Sequence, residues 1–337
     1  MKKLKVGKLD SDVLDRIVLS GIKFKRPEVR TGAEVGEDCA VIDFGEYDCV
    51  VSTDPITASV QDVGKLSIHI SCNDIASNGV QPVGITLAVM LPEGSTEEDL
   101  TTIMTQAAQA AEVAQVQIAG GHTEVTPAVR KPVIVSTAFG RVLSGKSADA
   151  KNMRENDLIL LTKNAGLEGT GIIASDREDE LGGILSAGEI AQAKSMLNDV
   201  SVVKEGVIAG EIGTAGMHDV TEGGVYGAVW EMCRLASMGA EIYEEKIFVH
   251  PVTRKIAKHF GIDPMRLISS GCMLIVANSG QADAIIAECK KEEIEISVIG
   301  RVRAKECGVK ALTEKGDLLE IEPPEADEQL PDRKSVV

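Results

Sequence analysis

The apolar and polar positions of this chain fall into two successive blocks of short strands and helices. In the first block, Cys39 to Asp43 and Tyr47 to Thr53 read as strands. From Val63 onward, Val63, Leu66 and Ile70 mark one helical stripe and Ile68, Cys72 and Ile75 another, so the helix they predict is covered on more than one side. Gly79 and Pro82 supply its stop signal. A strand near Ile85 to Leu91 follows. Ser95 and Glu98 then form a capping-box pattern, in which each side chain satisfies a backbone donor of the other residue, opening a helix that runs to about Gln115. Strands at Val116 to Ala119 and Pro132 to Val142 give the order ββαβαββ, an α+β arrangement. An amphipathic helix over about Ser11 to Ser20 and a loop rich in Lys, Arg, Pro and Gly, placed to cover a site, precede this block.

The second block opens with a strand over Asp157 to Thr162 and a glycine-rich turn, Gly166 to Gly171, leading into a short helix. That turn serves either to cradle a phosphate or simply to turn tightly. Helices follow over Gly188 to Leu197 and Val200 to Ile212, the second with Asn198 and Asp199 as candidate caps, and an apolar helix over Val225 to Met238. Strands at Met273 to Ala277 and Ile294 to Val302 alternate with a helix over Gln281 to Lys291. The blocks predict domains over residues 1–150 and 151–321, then a loose Pro- and acid-rich tail over 322–337. At the boundary, Gly140 to Ser147 matches the phosphate-loop pattern G-x-x-x-x-G-K-[ST]. The polar stretch after it offers no helix to hold phosphates, so it is read as a linker turn.

Composition narrows the function. The 337 residues suffice for about two domains, and a net charge of −17 argues against a general basic field for nucleic acid or anionic membranes. Seven cysteines, with no C-x-x-C pair and mostly inside apolar runs, read as reduced core residues of a cytoplasmic protein. No run is long and apolar enough to span a membrane, and charges interrupt the apolar residues after the basic start, so no signal peptide is expected.

The chemistry concentrates in a few acidic and glycine-bearing runs. Asp54 is expected just past a strand end, where the chain turns at Pro55, and Asp74 near the end of the first long helix beside Asn73. Upstream, Gly36-Glu37-Asp38-Cys39 is an acidic turn entering a strand; downstream, Gly120-Gly121-His122-Thr123-Glu124 leaves one. The plain alternative is that Asp54 caps a turn and Asp74 sits at the surface. Taken together, the runs suggest a hard cation held by carboxylates beside phosphate oxygens that glycine amides approach closely. In Asp219-Val220-Thr221-Glu222-Gly223-Gly224 the glycine pair either makes an anion site or permits close helix packing with Asp219 as cap. The five histidines show no zinc spacing. His122 is a candidate substrate or phosphate contact, and Cys39 reads as a buried thiol rather than a nucleophile.

Gly36-Glu37-Asp38-Cys39-Ala40-Val41, Ser52-Thr53-Asp54, Asn73-Asp74-Ile75-Ala76, Gly120-Gly121-His122-Thr123 and Asp219 to Gly224 occur in an order that resembles the PurM-like, AIR synthase-related ATP-binding superfamily over nearly the whole chain. The opening Leu4 to Leu9 and the stretch from Gly64 to Asp74 are most similar to its HypE branch. The resemblance implies a two-domain α/β fold, with the N-terminal domain forming a β-barrel across a homodimer and an α/β sandwich behind it. It implies Mg²⁺ on Asp38, Asp54 and Asp74, with Glu124 as a weaker ligand. It further implies ATP contacts from Asn73, Gly120, Gly121, Thr123, Asp219, Thr221, Gly223 and Gly224, and Asp54, Asp74 and His122 in catalysis. The activity implied is ATP-dependent phosphorylation of an amide-like or other small acceptor, free or protein-borne, in a hydrogenase-maturation complex. A thiamine-monophosphate-type kinase and a non-catalytic nucleotide-binding partner are the alternatives. The branch's carrier cysteine has no counterpart in Leu330 to Val337, which points to action on a free small molecule or to a paralogue that keeps the nucleotide site.

Overall fold

The computed structural model describes residues 11–57, 60 and 62–323, together with Leu4 and Leu9; the expectations for residues 5–8 and for the tail from 324 onward lie outside the described residues. Residues 11–21 form a short, irregular helical segment. Strands β1 (Val29–Thr31), β2 (Ala40–Asp43), β3 (Tyr47–Thr57), β4 (Pro82–Leu91), β5 (Gln117–Val125) and β6 (Val133–Leu143) make a six-stranded sheet in the order β1-β2-β3-β6-β4-β5. All its pairs are antiparallel except β4 and β5, whose parallel pairing requires the crossover helix between them. Helix α1 (Val63–Ser77) lies over β3 and β6, and α2 (Glu97–Val113) packs on α1. Along β3 the period of two is plain: Asp48, Val50 and Ser52 are buried under α1, while Tyr47, Thr53 and Pro55 are exposed on the other face.

Three boundaries differ from the sequence reading. β3 continues through Asp54 and Pro55 to Thr57, so Asp54 lies within a strand. Beyond Val51 the β2 side of β3 is unpaired, and a residue without an N–H is accommodated there. The capping box at α2 is Thr96 with Asp99, one residue later than expected, because Ser95 Oγ donates to Pro92 O inside the preceding turn. β5 does not end at Ala119; its pairing with β4 carries it through both glycines to Val125.

The second sheet comprises β7 (Leu158–Thr162), β8 (Gly216–Asp219), β9 (Gly239–Tyr243), β10 (Met273–Ala277), β11 (Ile296–Arg303), β12 (Val309–Leu312) and β13 (Leu318–Glu320), in the order β13-β12-β9-β11-β7-β10-β8. Around it stand α3 (Leu167–Asp176), α4 (Ala187–Ser195), α5 (Val203–Ile212), α6 (Gly224–Ala236), α7 (Pro251–Phe260) and α8 (Ser279–Lys291). Alternation sorts the layers: Leu160 and Ile275 face the core shared with α5 and α8, and Ile159, Leu161 and Leu274 face the core shared with α6. The sheet is therefore the middle layer of a sandwich. The phosphate-loop match at 140–147 runs from β6 into a turn with Lys146 exposed and only a single 3-10 turn beyond, in keeping with a linker.

Helix α1 is the element that joins the halves. All its residues except Lys65 and Ile70 are buried, and Val63, Ile68, Cys72 and Ile75 share one continuous core with Leu160 and Ile275 of the second sheet. It touches α5 and β8 as well as β3 and β6. Its double apolar stripe predicts cover on more than one side, and the structure extends that cover to nearly every residue.

Candidate active site

The end of α1, the inner face of β3, the loop before β2 and the end of β8 converge. Asp74, in the last turn of α1, is 6 % exposed. Ser52 Oγ donates to Asp74 Oδ2 at 2.6 Å, and Cys39 Sγ and Ser77 Oγ both lie within bonding distance of the Asp74 carbonyl. Two residues beyond Ser52 on the same face of β3 stands Asp54, whose carboxyl is a direct neighbour of Asp74's. Asp38 arrives on the loop before β2, with its Oδ2 3.4 Å from Ser77 Oγ. That loop leans on α6, where the carbonyl of Glu231 lies against Gly36. From the second half come His218 and Asp219, whose ligand atoms and those of Asp38 all lie within 4.8 Å of one another.

The electrostatics follow from burial. Burial, then the charge of Asp219 and the proximity of Asp54 and Asp38, hold the Asp74 carboxyl well above the usual carboxylate range. Asp219 is raised for the same reasons, burial first and Asp38 next, with His218 opposing. Burial alone would lower His218, but Asp38, Glu231 and Asp219 outweigh it and raise the imidazole to about 10. Its Nδ1 lies 2.6 Å from the Asp219 carbonyl and its Nε2 3.2 Å from Glu231 Oε2, so both ring nitrogens donate and the ring is a buried cation. On the loop beside Asp38, burial raises Glu37 to about 7 against the pull of Lys151.

Both carboxylate oxygens of Asp219 are buried without a hydrogen-bond partner. Four carboxyl groups meeting around one imidazole in a desolvated space resist ionising together, a condition that a hard divalent cation relieves. The oxygen-rich donor set fits Mg²⁺.

The other candidate residues are placed as follows. Asn73 is fully buried and faces away from the acids: its Nδ2 donates to Val200 O at 2.8 Å and its Oδ1 accepts from Val202 N at 2.9 Å. Gly120, Gly121, His122, Thr123 and Glu124 lie exposed on edge strand β5, with His122 Nε2 3.4 Å from Glu124 Oε2. The register runs Asp54, Ser136, Leu87, Gly121, so three strand spacings, about 14 Å, separate that run from Asp54. Within the described chain these residues are not brought to the acid cluster. Gly223 is the N-cap of α6 and the carbonyl of Thr221 accepts from Gly224 N. A Cβ on Gly224, which has φ +61°, would stand 2.5 Å from Met265 O, so close packing requires this glycine, and Asp219 does not cap the helix. The amides of Gly166 and Gly169 are bonded to Ser269 Oγ and Ile268 O, which makes the second glycine-rich turn a packing turn. Asn198 and Asp199 supply no cap to α5; Asn198 Oδ1 accepts from Lys65 and the Asp199 carbonyl from Lys163.

Sequence reasoning missed Ser52, Ser77 and Glu231. Ser52 carried a usable signal, being two residues before Asp54 on one strand face. Glu231 carried none, because only the packing of α6 on β8 puts it beside His218.

Residues 36–142 match the family model described as AIR synthase related protein, N-terminal domain, and residues 154–310 match its C-terminal domain. The chain is 25% identical over 310 residues to a protein of Methanocaldococcus jannaschii named for hydrogenase expression/formation, covering 90% of each. It is 25% identical over 314 residues to carbamoyl dehydratase HypE of Rhodobacter capsulatus, covering 90% of this chain and 88% of the other. Among solved structures it resembles the hydrogenase maturation protein HypE in complex with ATP (TM-score 0.73, 23% identity, 97% of both chains) and HypE of a HypE–HypF complex (TM-score 0.74, 24% identity, 92% of this chain and 99% of that one). A comparable likeness is to AaThiL complexed with AMPPCP and TMP (TM-score 0.72, 17% identity, 88% of this chain and 92% of that one). With both domain models matched in order over most of its length and HypE proteins among its relatives, the chain belongs to the AIR synthase related family.

Proposed function

We propose that the chain is an ATP-dependent enzyme that binds Mg-ATP at the acid cluster and transfers the terminal phosphoryl group to an oxygen of an amide-like or other small acceptor, free or carried by a maturation protein. The observation that carries this reading is the Asp219 carboxylate, whose two buried oxygens have no hydrogen-bond partner while facing Asp38 and Asp74. Such a group is rare in a folded protein and marks a place for an ion, a water or catalysis. Asp38, Asp54, Asp74 and Asp219 would hold the magnesium, which supplies charge neutralisation for the phosphates when bound. Ser52 orients Asp74, and the His218 cation balances part of the acidic charge. HypE has been seen with ATP and with HypF, and AaThiL with a nucleotide analogue, which supports a nucleotide reading for this fold and a maturation partner for this branch.

The homodimer belongs to this proposal. The outer face of the first sheet carries Val51, Thr53, Phe139 and Thr137 half-buried or exposed, and β5 ends the sheet without a further strand among the described residues. A second copy on that face would cover it, and would bring His122 and the glycines of β5 into a shared structure.

Calorimetric titration with ATP, with and without Mg²⁺, tests the reading directly. Mg-dependent binding in the wild type, lost in Asp54→Asn and Asp74→Asn variants of unchanged circular dichroism, supports it; no binding in the wild type overturns it. An acceptor screen with amides, carbamoyl compounds and thiamine monophosphate then separates the synthase-like from the kinase reading.

A further inference from the structure

The acid cluster is split between the two halves of the molecule: Asp38, Asp54 and Asp74 belong to the first sheet and α1, and Asp219 to the second sheet. Its geometry therefore depends on what fixes one half against the other. Lys65, His69 and Asn73 recur every four residues along one face of α1, and the first and last of them bond to the segment Asn198 to Val202. Lys65 Nζ donates to Asn198 Oδ1 at 3.3 Å. Asn73 makes the tightest link, since its carboxamide accepts from Val202 N and donates to Val200 O, using both ends of one rigid group on one stretch of backbone. From the opposite side Lys163 Nζ donates to the carbonyls of Asp199 and Ser201. The segment leads directly into α5, whose Gly206 sits so close to α1 that a Cβ there would stand 2.3 Å from the Ala76 carbonyl.

We propose that Asn73 is a positioning residue: its paired hydrogen bonds to Val200 and Val202 lock the rotation and height of α1 against the second half, and so hold the adjacent Asp74 opposite Asp219. A carboxamide bonded at both ends fixes angle as well as distance, whereas the apolar contacts beside it fix only separation. This inference rests on the Mg-nucleotide reading for its purpose, though not for its geometry.

The test uses the full chain with two independent readouts: hydrogen–deuterium exchange without ligand, and Mn²⁺ binding followed by electron paramagnetic resonance. Asn73→Leu keeps the branching and heavy-atom count and removes both bonds, and Asn73→Asp keeps the acceptor, loses the donor and adds a carboxyl group. Ser269→Ala is the control, a buried substitution in the second half outside the segment Asn198 to Val202, whose hydroxyl accepts from Gly166 N. Exchange at the Val202 amide is expected to rise at least tenfold in Asn73→Leu, with Mn²⁺ affinity falling at least fivefold, and Asn73→Asp is expected to show an exchange rate at Val202 between it and the wild type. Ser269→Ala is expected to retain wild-type Mn²⁺ affinity even if its melting temperature falls as far. Unchanged exchange at Val202, equal Mn²⁺ affinity in Asn73→Leu and wild type, or an equal loss in Ser269→Ala each overturns the positioning role. A wild type that takes up no Mn²⁺ overturns the Mg-nucleotide reading instead, and the exchange rates then decide the clamp alone.

Discussion

Ser52 donates its hydroxyl to Asp74 Oδ2 across 2.6 Å, from the inner face of β3 to the last turn of α1. That bond sets the direction of the carboxyl group beside Asp54, Asp38 and Asp219. A hydrogen bond to a group that works in its charged form contributes about 1.5–3 kcal/mol. Ser52→Ala is therefore expected to weaken Mg-ATP binding by about tenfold or more, since roughly 1.4 kcal/mol is one decade. Titration calorimetry on the variant checks this, and an affinity within twofold of the wild type contradicts it.

Asp219 carries the opposite kind of energy. Its folded pKa is raised, so between the ordinary carboxylate range and that raised value the folded chain holds a proton the unfolded chain has released. Stability from this group is complete at low pH and is lost as pH rises through that window. In metal-free protein, Asp219→Asn is expected to stabilise the fold at pH 8 by about 2 kcal/mol, the scale of an unsatisfied buried polar group. The gain should disappear as pH falls into the ordinary carboxylate range. Melting curves in a chelator across pH show this, and adding Mg²⁺ is expected to raise the melting temperature of the wild type more than that of the variant.

Much of this was legible in the residues. The double apolar stripe of Val63 to Ile75 announced a helix covered on more than one side, and α1 is that helix. Met273 to Ala277, an unbroken apolar run, is a strand with those bounds. By contrast, β8 is four residues, Gly-Met-His-Asp, with no alternation to mark it; only pairing with β10 makes it a strand. Proximity was the harder matter. Asp38, Asp54, Asp74 and Asp219 could be named from their runs, but the same reasoning grouped them with Gly120 to Thr123, which the sheet register holds three strands away. Asn73, adjacent to Asp74 in sequence, points about a quarter-turn round the helix and serves the backbone of the other half.

Within the second half, Lys163 Nζ lies 2.8 Å from Glu205 Oε1, and Glu205 is 2% exposed. Removing one partner of such a pair leaves a buried charge uncompensated, at a cost of about 3–5 kcal/mol. Lys163→Met is expected to lose stability on that scale, with part of the loss from the Asp199 and Ser201 carbonyls it also serves. Glu205→Gln in the same chain should recover more than half. Denaturant unfolding of the single and double variants measures the coupling; additive losses would show that the pair contributes nothing beyond its separate contacts.

His69 stands one helical turn before Asn73, 4% exposed, with its Nδ1 buried and unbonded. Burial lowers its pKa to about 4, and the charges of Lys65 and Lys163 add to that. In the unfolded chain the same imidazole titrates near the ordinary histidine value of about 6.5. Between those two values the unfolded chain binds a proton that the folded chain refuses, so the fold loses stability as pH falls through this window. Two and a half units correspond to about 3 kcal/mol at the lower end. Replacing His69 by the non-titrating Gln should therefore cost stability at pH 7.5, through lost packing, and narrow the gap to the wild type steadily by pH 4.5. Urea midpoints of the two proteins at those pH values decide the matter. Because the carboxylates of the cluster are common to both, their contribution cancels in the difference, and a gap that stays constant with pH would mean that His69 accepts its proton in place.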